Sequence, residues 1–188
     1  VKTHLTSIYE NDAEAEKNRK TELFDHWKKW RDCCQIAAPG YEKEVFYYLV
    51  RKPSDFLPIL RKISHEQITL YLSAYQAHLW NEMLRRLLKM KLARSLKIYP
   101  GVTGDYLFYS KLEPEEFSYF EKLQIPTISS KATVSDPLGS KVYEEVLLEN
   151  GLDRSLFNKM KLRQAFFKSV DRAALVRPEK LSSSTAVD

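Results

Sequence analysis

Glycine, cysteine and histidine are all scarce in this chain of 188 residues, and their scarcity excludes several kinds of functional site. The five glycines form neither Gly-x-Gly-x-x-Gly nor the Walker pattern, which excludes the phosphate-binding loops built on those motifs. The two cysteines, Cys33 and Cys34, are adjacent, so we predict reduced thiols rather than a disulfide across the fold. Neither they nor the four histidines have the spacing of metal ligands, and we therefore expect no metal site.

Long apolar segments are missing as well. No apolar run approaches the length of a membrane-spanning helix, and the N-terminus lacks the basic-then-apolar order of a signal peptide. These absences predict a cytoplasmic protein without a membrane partner. The chain begins with Val1 rather than Met and ends in Ser-Ser-Ser-Thr-Ala-Val-Asp, so we expect it to be a piece of a longer protein.

The composition, with 44% hydrophobic and 29% charged residues, is that of a folded globular protein. A net charge of +5 and a pI near 9.0 permit a polyanionic partner without requiring one. Basic residues concentrate in 85–97 and in the last thirty residues, with Tyr99, Phe166 and Phe167 between them. This interleaving suits a surface that follows a phosphate backbone and stacks bases, but it also suits a solvated surface around aromatic core residues.

One long helix, about 64–90, organises the predicted fold. Ser64 and Gln67 form a capping box at its start. Apolar residues then recur at steps of three and four, at Ile68, Leu72, Tyr75, Leu79, Met83 and Leu87, and the face is widened by Tyr71, Ala74, His78 and Leu88. A face this broad predicts a central helix with packing partners on more than one side.

Shorter elements surround the central helix. In the first half we predict a loose polar lead-in or solvated helix over 1–20, an amphipathic helix from Thr21 to Pro39-Gly40, a helix over 41–51 and a short helix capped by Ser54 or Asp55. In the second half we predict strands at 96–99 and 106–109, helices over 113–123, 140–150 and 153–160, and β-prone runs at 165–170 and 173–176.

This order predicts an α+β fold, a helix-rich domain around one long central helix with a small mixed sheet in the C-terminal half. We place the domain at 21–181, after a lead-in over 1–20, and expect a disordered tail over 182–188.

The residue types in the central helix carry information beyond their periodicity. Ser-Ala-Tyr-Gln-Ala-His-Leu-Trp-Asn, residues 73–81, resembles the Ser-Ala-Tyr-Gln-Ser-x-Leu-Phe-Asn signature of the TruD family of tRNA pseudouridine synthases. Ala77 and Trp80 stand where that pattern has Ser and Phe. Further stretches resemble the family in the same order: residues 44–63, Gly104-Asp105-Tyr106-Leu107, the loop from Ile125-Pro126 to Leu138-Gly139, and the run from Arg172 to Leu181 that matches Arg-x-x-x-Val-x-Pro-x-x-Leu.

Two motifs of the family are absent from this chain: Gly-x-Lys-Asp, which carries the catalytic aspartate, and Asn-x-Phe-Gly-x-Gln-Arg-Phe. The resemblance therefore implies the insertion domain of a TruD enzyme, with no catalytic residue in this chain and the nucleophile upstream of residue 1. It implies a parent reaction that isomerises uridine in tRNA without a cofactor or metal. The implied partners are tRNA and the catalytic domain of the same parent chain.

The same resemblance yields candidate RNA contacts on the basic stretches: Arg85, Arg86, Lys89, Lys131, Lys168 and Arg172. Gln76 and Asn81 belong to the signature, and we predict that both are buried hydrogen-bonding groups rather than catalysts. Two alternatives stay open, a domain that only braces the catalytic half and an unrelated helical nucleic-acid or protein adaptor. One contiguous basic stripe would favour RNA contact, whereas scattered basic residues would favour bracing.

Overall fold

The computed structural model describes residues 1–92, 96–101, 104–158 and 167–176. These residues form two compact units, one up to Ile68 and one from Thr69 onward. The first unit contains α1 (Lys2–Thr6), α2 (Glu14–Asp25), α3 (Trp30–Ile36), α4 (Tyr41–Arg51) and α5 (Leu57–Leu60). The helix α6 (His65–Leu92) begins there, and all later elements belong to the second unit.

An aromatic and aliphatic core holds the first unit together. Leu23, Phe46 and Leu49 are fully buried, and Trp30 packs on Phe46 with ring centroids 6.3 Å apart. The helix over 41–51 is confirmed. The single helix predicted from Thr21 to Pro39 is wrong, because Lys28 adopts a left-handed φ of 81° that separates α2 from α3.

The sequence predicts a loose polar lead-in or a solvated helix over residues 1–20, and the structure has helical segments there. These residues contain α1 and the start of α2, and Leu5 is buried in the same core as Leu23. Lys20 is also buried. Its charge is compensated, since its Nζ lies 2.7 Å from the Asp12 carboxylate and 3.1 Å from the Glu16 carboxylate. Some of the charged side chains in this segment therefore pair with one another.

The capping residue predicted for the short helix α5 is wrong. Phe56 stands at the N-cap and makes no side-chain cap, with Pro58 in the first turn as expected. The Asp55 carboxylate instead accepts a hydrogen bond of 2.5 Å from the Tyr48 hydroxyl, which ties the end of α4 to the loop.

The central helix of the prediction is α6, and Ser64 caps it by accepting a 3.2 Å hydrogen bond from the Gln67 N–H. Leu79, Met83 and Leu87 are buried as expected. The predicted face is wrong at three positions, because Tyr75 of the stripe and the widening residues Ala74 and His78 are exposed. The buried stripe instead turns through Gln76, a polar residue that the apolar pattern does not include.

The second unit places two small sheets beside α6. The two predicted strands, β1 (Leu96–Tyr99) and β2 (Tyr106–Tyr109), have the expected bounds and pair as an antiparallel hairpin. The strand β3 (Gln124–Pro126) pairs antiparallel with β4 (Asp171–Ala173). The remaining helices are α7 (Pro114–Lys122), α8 (Pro137–Glu149) and α9 (Arg154–Asn158). The α+β class is confirmed, with the strands in two separate antiparallel sheets rather than one mixed sheet.

Residues from α6, α7 and α8 fill one core, centred on Leu87, Phe120 and Val146. Gly151 ends α8 as predicted: at a φ of 63° its N–H bonds to the Leu148 carbonyl, and the Leu152 N–H bonds to the Leu147 carbonyl. The β-prone run predicted at 165–170 is wrong over its described part, because 167–170 form no strand. The ends of two predicted elements, 159–160 and 165–166, and the tail over 182–188 lie outside the described residues. Every helix in the described ranges is too short or too polar to span a bilayer.

Candidate nucleic-acid interface

Gln76 ties two loops to α6. Its amide Nε2 donates to the Ile128 carbonyl at 2.6 Å and to the Lys168 carbonyl at 3.0 Å, and the residue is 7% exposed. A buried amide with partners of this kind is structural, because leaving either group unpaired would cost free energy. The prediction that Gln76 is a buried hydrogen-bonding group is confirmed.

Thr127 continues this connection along the second sheet. Its Oγ1 donates to the Lys168 carbonyl at 2.9 Å and accepts from the Val170 N–H at 3.0 Å, while its own N–H donates to the Val170 carbonyl. Arg172 follows, paired with Ile125 in the β3–β4 ladder. The loop before β4 is therefore held against the loop after β3 over several residues, a role for Thr127 that no sequence motif signals.

Trp80 anchors the same sheet from α6. Its indole N–H donates to the Ile125 carbonyl at 2.9 Å, and the Arg172 guanidinium lies 5.9 Å from the indole ring centroid. Trp80 stands where the family signature has Phe, whose side chain has no N–H to donate. The replacement of Phe by Trp at this position is the one feature of the sequence that could have indicated the contact. The resemblance to the family does not by itself identify Ile125 as the partner.

Three of the six candidate RNA contacts lie on the segments that Gln76, Thr127 and Trp80 hold. Lys131, Lys168 and Arg172 are all exposed, and we call these three residues the Gln76 surface. Exposed cations on a backbone fixed by buried hydrogen bonds are suited to binding phosphate groups, since little of the surrounding chain needs to be ordered on binding.

The other three candidates, Arg85, Arg86 and Lys89, are on a different part of α6. At about 100° per residue, Arg85 is rotated about 180° around the helix from Gln76. Its Nε donates to the Asp105 carbonyl at 3.0 Å, and its guanidinium also pairs with Glu82. Lys89 is exposed. Because of that rotation, Arg85 lies on the opposite side of α6 from Gln76.

Arg86 is engaged in a bridge between two helices. Its guanidinium contacts Glu82 at 3.0 Å and the Glu149 carboxylate of α8 at 2.5 and 2.8 Å. The hydrogen bonds from Arg86 lower the pKa of Glu149, and the same bonds raise the pKa of Arg86. A phosphate that approached Arg86 would have to compete with this carboxylate.

Asn81 is exposed, so the prediction that it is buried is wrong. It stands five residues after Gln76, about 140° around the helix, where it leaves the buried stripe. There it lines a small cavity of about 230 Å³ together with Leu84, Leu88 and the turn before β2.

Tyr119 and Asp136 form a structural hydrogen-bonded pair in the second unit. An open groove of about 800 Å³ is lined by Tyr119 and Asp136. The Asp136 carboxylate accepts from the Gly139 N–H at 2.6 Å, which caps α8, and from the Tyr119 hydroxyl at 2.9 Å. Burial and this carboxylate raise the pKa of Tyr119. Among the described residues, no group of three or more His, Cys, Asp or Glu side chains is placed to hold a metal ion.

Comparison with known proteins extends these observations. The sequence model of the family tRNA pseudouridine synthase D (TruD) matches residues 1–188. The chain is 28% identical over 165 residues to a protein of Methanococcus maripaludis described as tRNA pseudouridine synthase D 1, covering 85% of this chain and 42% of that protein. It is 24% identical over 186 residues to a Methanocaldococcus jannaschii protein described as tRNA pseudouridine synthase D 2, covering 96% and 44%.

A crystal structure shares the fold. It is of a Methanosarcina mazei protein described as a tRNA pseudouridine synthase D, with a TM-score of 0.58 and 16% identity, covering 93% of this chain and 44% of that one. The chain thus spans less than half the length of these similar proteins. Because the family's sequence model matches the chain over its whole length, the chain belongs to the TruD family of tRNA pseudouridine synthases.

Proposed function

We propose that this chain is the RNA-facing insertion domain of a tRNA pseudouridine synthase and that it does not carry the catalytic aspartate. The match of the family's sequence model to the whole chain is the observation that carries the proposal. Two further facts support it: the chain spans 42% and 44% of two similar proteins, and it contains no Gly-x-Lys-Asp motif. The catalytic domain of the parent would then be the neighbouring partner of this domain.

The chemistry of the reaction explains why such a domain would be needed. Conversion of uridine to pseudouridine detaches uracil from the ribose, turns the base and reattaches it through a carbon. The base must therefore leave its stack, which costs a few kcal/mol of unstacking energy. A second domain that binds the phosphate backbone on either side of the target would supply part of that free energy and keep the RNA in position.

The Gln76 surface is the part of the second unit that we assign to the tRNA backbone. Lys131, Lys168 and Arg172 are exposed. Gln76 bonds to the Lys168 carbonyl and to Ile128, three residues before Lys131, and Trp80 bonds to Ile125, the ladder partner of Arg172. Lys89 is exposed and joins this proposal as an additional phosphate contact.

A second candidate function, bracing of the catalytic domain, is favoured by the state of the two remaining arginines. Arg85 and Arg86 are paired with Glu82 and Glu149 of their own unit, and their guanidinium groups also support the turn at Asp105 and the end of α8. In that case the basic residues would serve the fold, and tRNA would contact other parts of the parent protein.

Charge reversal on the Gln76 surface distinguishes the two functions. We compare Lys131→Glu, Lys168→Glu and Arg172→Glu, combined in one variant, with a control that combines Lys29→Glu, Arg31→Glu and Arg51→Glu at exposed positions of the first unit. Both variants change the charge by the same amount. Binding of a tRNA transcript is measured over a range of salt concentrations, and circular dichroism verifies that both variants are folded.

We expect weaker binding of the tRNA transcript by the first variant. The slope of log K against log salt concentration should become shallower by about 0.7 to 0.9 for each lost phosphate contact. The control should retain most of the affinity and the salt slope. Equal affinity of both variants and the unchanged chain would contradict RNA contact at this surface and favour bracing.

A further inference from the structure

Three of the four aromatic side chains in the β1 and β2 strands lie on one face of the hairpin, and the fourth, Tyr109, lies on the other. In an antiparallel pair, residues directly opposite each other point to the same side, and the side alternates along the strand. Lys97 is opposite Phe108 and Tyr99 is opposite Tyr106, so these four residues share one face. We call them the hairpin face. It carries three aromatic rings and one cation, and none of its four residues is acidic.

The rings of the hairpin face are open to solvent. Tyr99 is 53% exposed, Tyr106 57% and Phe108 55%, and Lys97 is exposed as well. Tyr99 and Phe108 meet edge to face with centroids 5.6 Å apart, which leaves the face of one ring and the edge of the other uncovered. Exposure of several adjacent aromatic rings is unusual for a surface without a partner.

The hairpin is held in a defined position on α6. Tyr106 and Leu107 line a small cavity together with Leu84 and Leu88 of α6. The Arg85 guanidinium donates to the Asp105 carbonyl and lies so close to Gly104, whose φ is 118°, that a Cβ there would come within 2.9 Å of the guanidinium. The rings are therefore presented by a fixed ribbon, which lowers the entropy cost of binding a partner.

Gly101 fixes one of the rings in the same way. A Cβ on Gly101 would lie 2.4 Å from Cε2 of Tyr106, so the ring rests directly against the glycine backbone. Tyr106 is thus supported on one side by the chain while more than half of its surface remains open to solvent.

We propose that the hairpin face binds unpaired RNA, with bases stacked on Tyr99, Tyr106 and Phe108 and a phosphate paired with Lys97. Each base offers an apolar π-face and each linkage carries a negative charge, which matches rings interleaved with a cation. The rings need not be specific for sequence, because every base can stack. This inference rests on the proposed function and deepens it, by adding a site for unpaired nucleotides to the phosphate contacts of the Gln76 surface.

The test removes rings without changing charge. We compare a variant with Tyr99→Ala and Phe108→Ala with a control carrying Tyr47→Ala and Phe24→Ala, which are the same residue types at 58% and 54% exposure in the first unit. Tyr99→Phe keeps the ring. Binding of the full chain to a fluorescent oligouridylate and to a tRNA transcript is followed by anisotropy at several salt concentrations, together with the charge-reversed Gln76 surface variant.

Loss of a stacked base weakens binding by about fivefold to 150-fold per ring. We therefore expect the double hairpin variant to lose at least about tenfold in affinity for oligouridylate with an unchanged salt slope, since it removes no phosphate contact. Tyr99→Phe and the matched control should bind like the unchanged chain. Circular dichroism and thermal unfolding verify that each variant is folded.

Two results overturn the inference. If the double hairpin variant binds both RNAs like the unchanged chain, while the charge-reversed variant binds weakly, the hairpin does not contact RNA although the proposed function stands. If the unchanged chain forms a dimer that only the hairpin variant loses, with RNA affinity unaltered, the face binds a second copy of the chain. Failure of the unchanged chain and of the protein with its flanking segments to bind either RNA would overturn the proposed function itself.

Discussion

At the scale of single residues, a buried amide organises the candidate interface. Gln76 is the polar residue in the buried stripe of α6, and its two hydrogen bonds reach the Ile128 and Lys168 carbonyls, 52 and 92 positions further along the chain. Contacts of such long sequence separation convert one side chain into a fixed point for two loops. Lys168 is exposed on one of these loops, and Arg172 is exposed in the strand β4 that follows it.

Replacing Gln76 should therefore cost stability without removing any charge. Gln76→Ala leaves the Ile128 carbonyl without its amide donor, and we expect a loss of about 1 to 3 kcal/mol in the free energy of unfolding. Gln35→Ala, at an exposed position of α3, is the control and should change it by less than about 0.5 kcal/mol. Urea denaturation measures both, and equal effects of the two substitutions would contradict the structural role of Gln76.

At the scale of secondary-structure elements, one ion pair joins α6 to α8. The Arg86 guanidinium contacts the Glu149 carboxylate through two nitrogens, and this contact lowers the pKa of Glu149 from its usual 4.5. Because the pKa is lower in the folded state, the unfolded chain takes up a proton first as the pH falls. The pair therefore stabilises the fold above pH 4.5, and its contribution is lost as the pH falls through the folded-state pKa.

Glu149→Gln should reveal this pH dependence. We expect a lower free energy of unfolding than that of the unchanged chain at pH 7, and a difference that shrinks as the pH falls below 4.5. Added salt at pH 7 should also reduce the difference, since more than half of the Glu149 side chain is exposed. Chemical denaturation over a pH series measures it, with Glu22→Gln as the control. A difference that stays constant over the pH series would show that the ion pair is not its source.

At the scale of the whole molecule, the chain has two compact units and less than half the length of its similar proteins. If it is an insertion domain, catalysis depends on residues that it does not contain. We expect pseudouridine formation in a tRNA transcript from the protein with its flanking segments restored and none from these 188 residues alone. Activity of the chain alone would place a nucleophile within it and contradict the proposed function.

Many helix and strand bounds could be predicted from the sequence, because capping and turn residues within a few positions determine them. The hairpin strands are bracketed by turn residues, and their predicted bounds match the structure. The start of α6 at Ser64 and the end of α8 at Gly151 also follow from interactions within a few residues. The strand β3 was not predicted, and β4 overlaps the run predicted at 173–176 only at Ala173. Their pairing joins segments more than forty residues apart, and neither strand has a strong periodic pattern.

The candidate interface could be predicted only in part, because it also depends on contacts between residues distant in the sequence. The sequence indicates which residues are basic, but it does not show that Arg85 and Arg86 pair with Glu82 and Glu149. It also left Asn81 and Gln76 equivalent as polar members of one signature. Their burial differs because the step of five residues from Gln76 to Asn81 rotates the side chain about 140° around α6.

The amino-acid sequence by itself determined the family, the α+β class and the long central helix, since motif order, composition and periodicity are properties of the chain. Only the tertiary structure decided which cations are paired and which are exposed, and which aromatic rings remain outside the core. Those outcomes depend on contacts between residues distant in sequence, such as Gln76 with Lys168 and Arg86 with Glu149, and no local pattern encodes such distances.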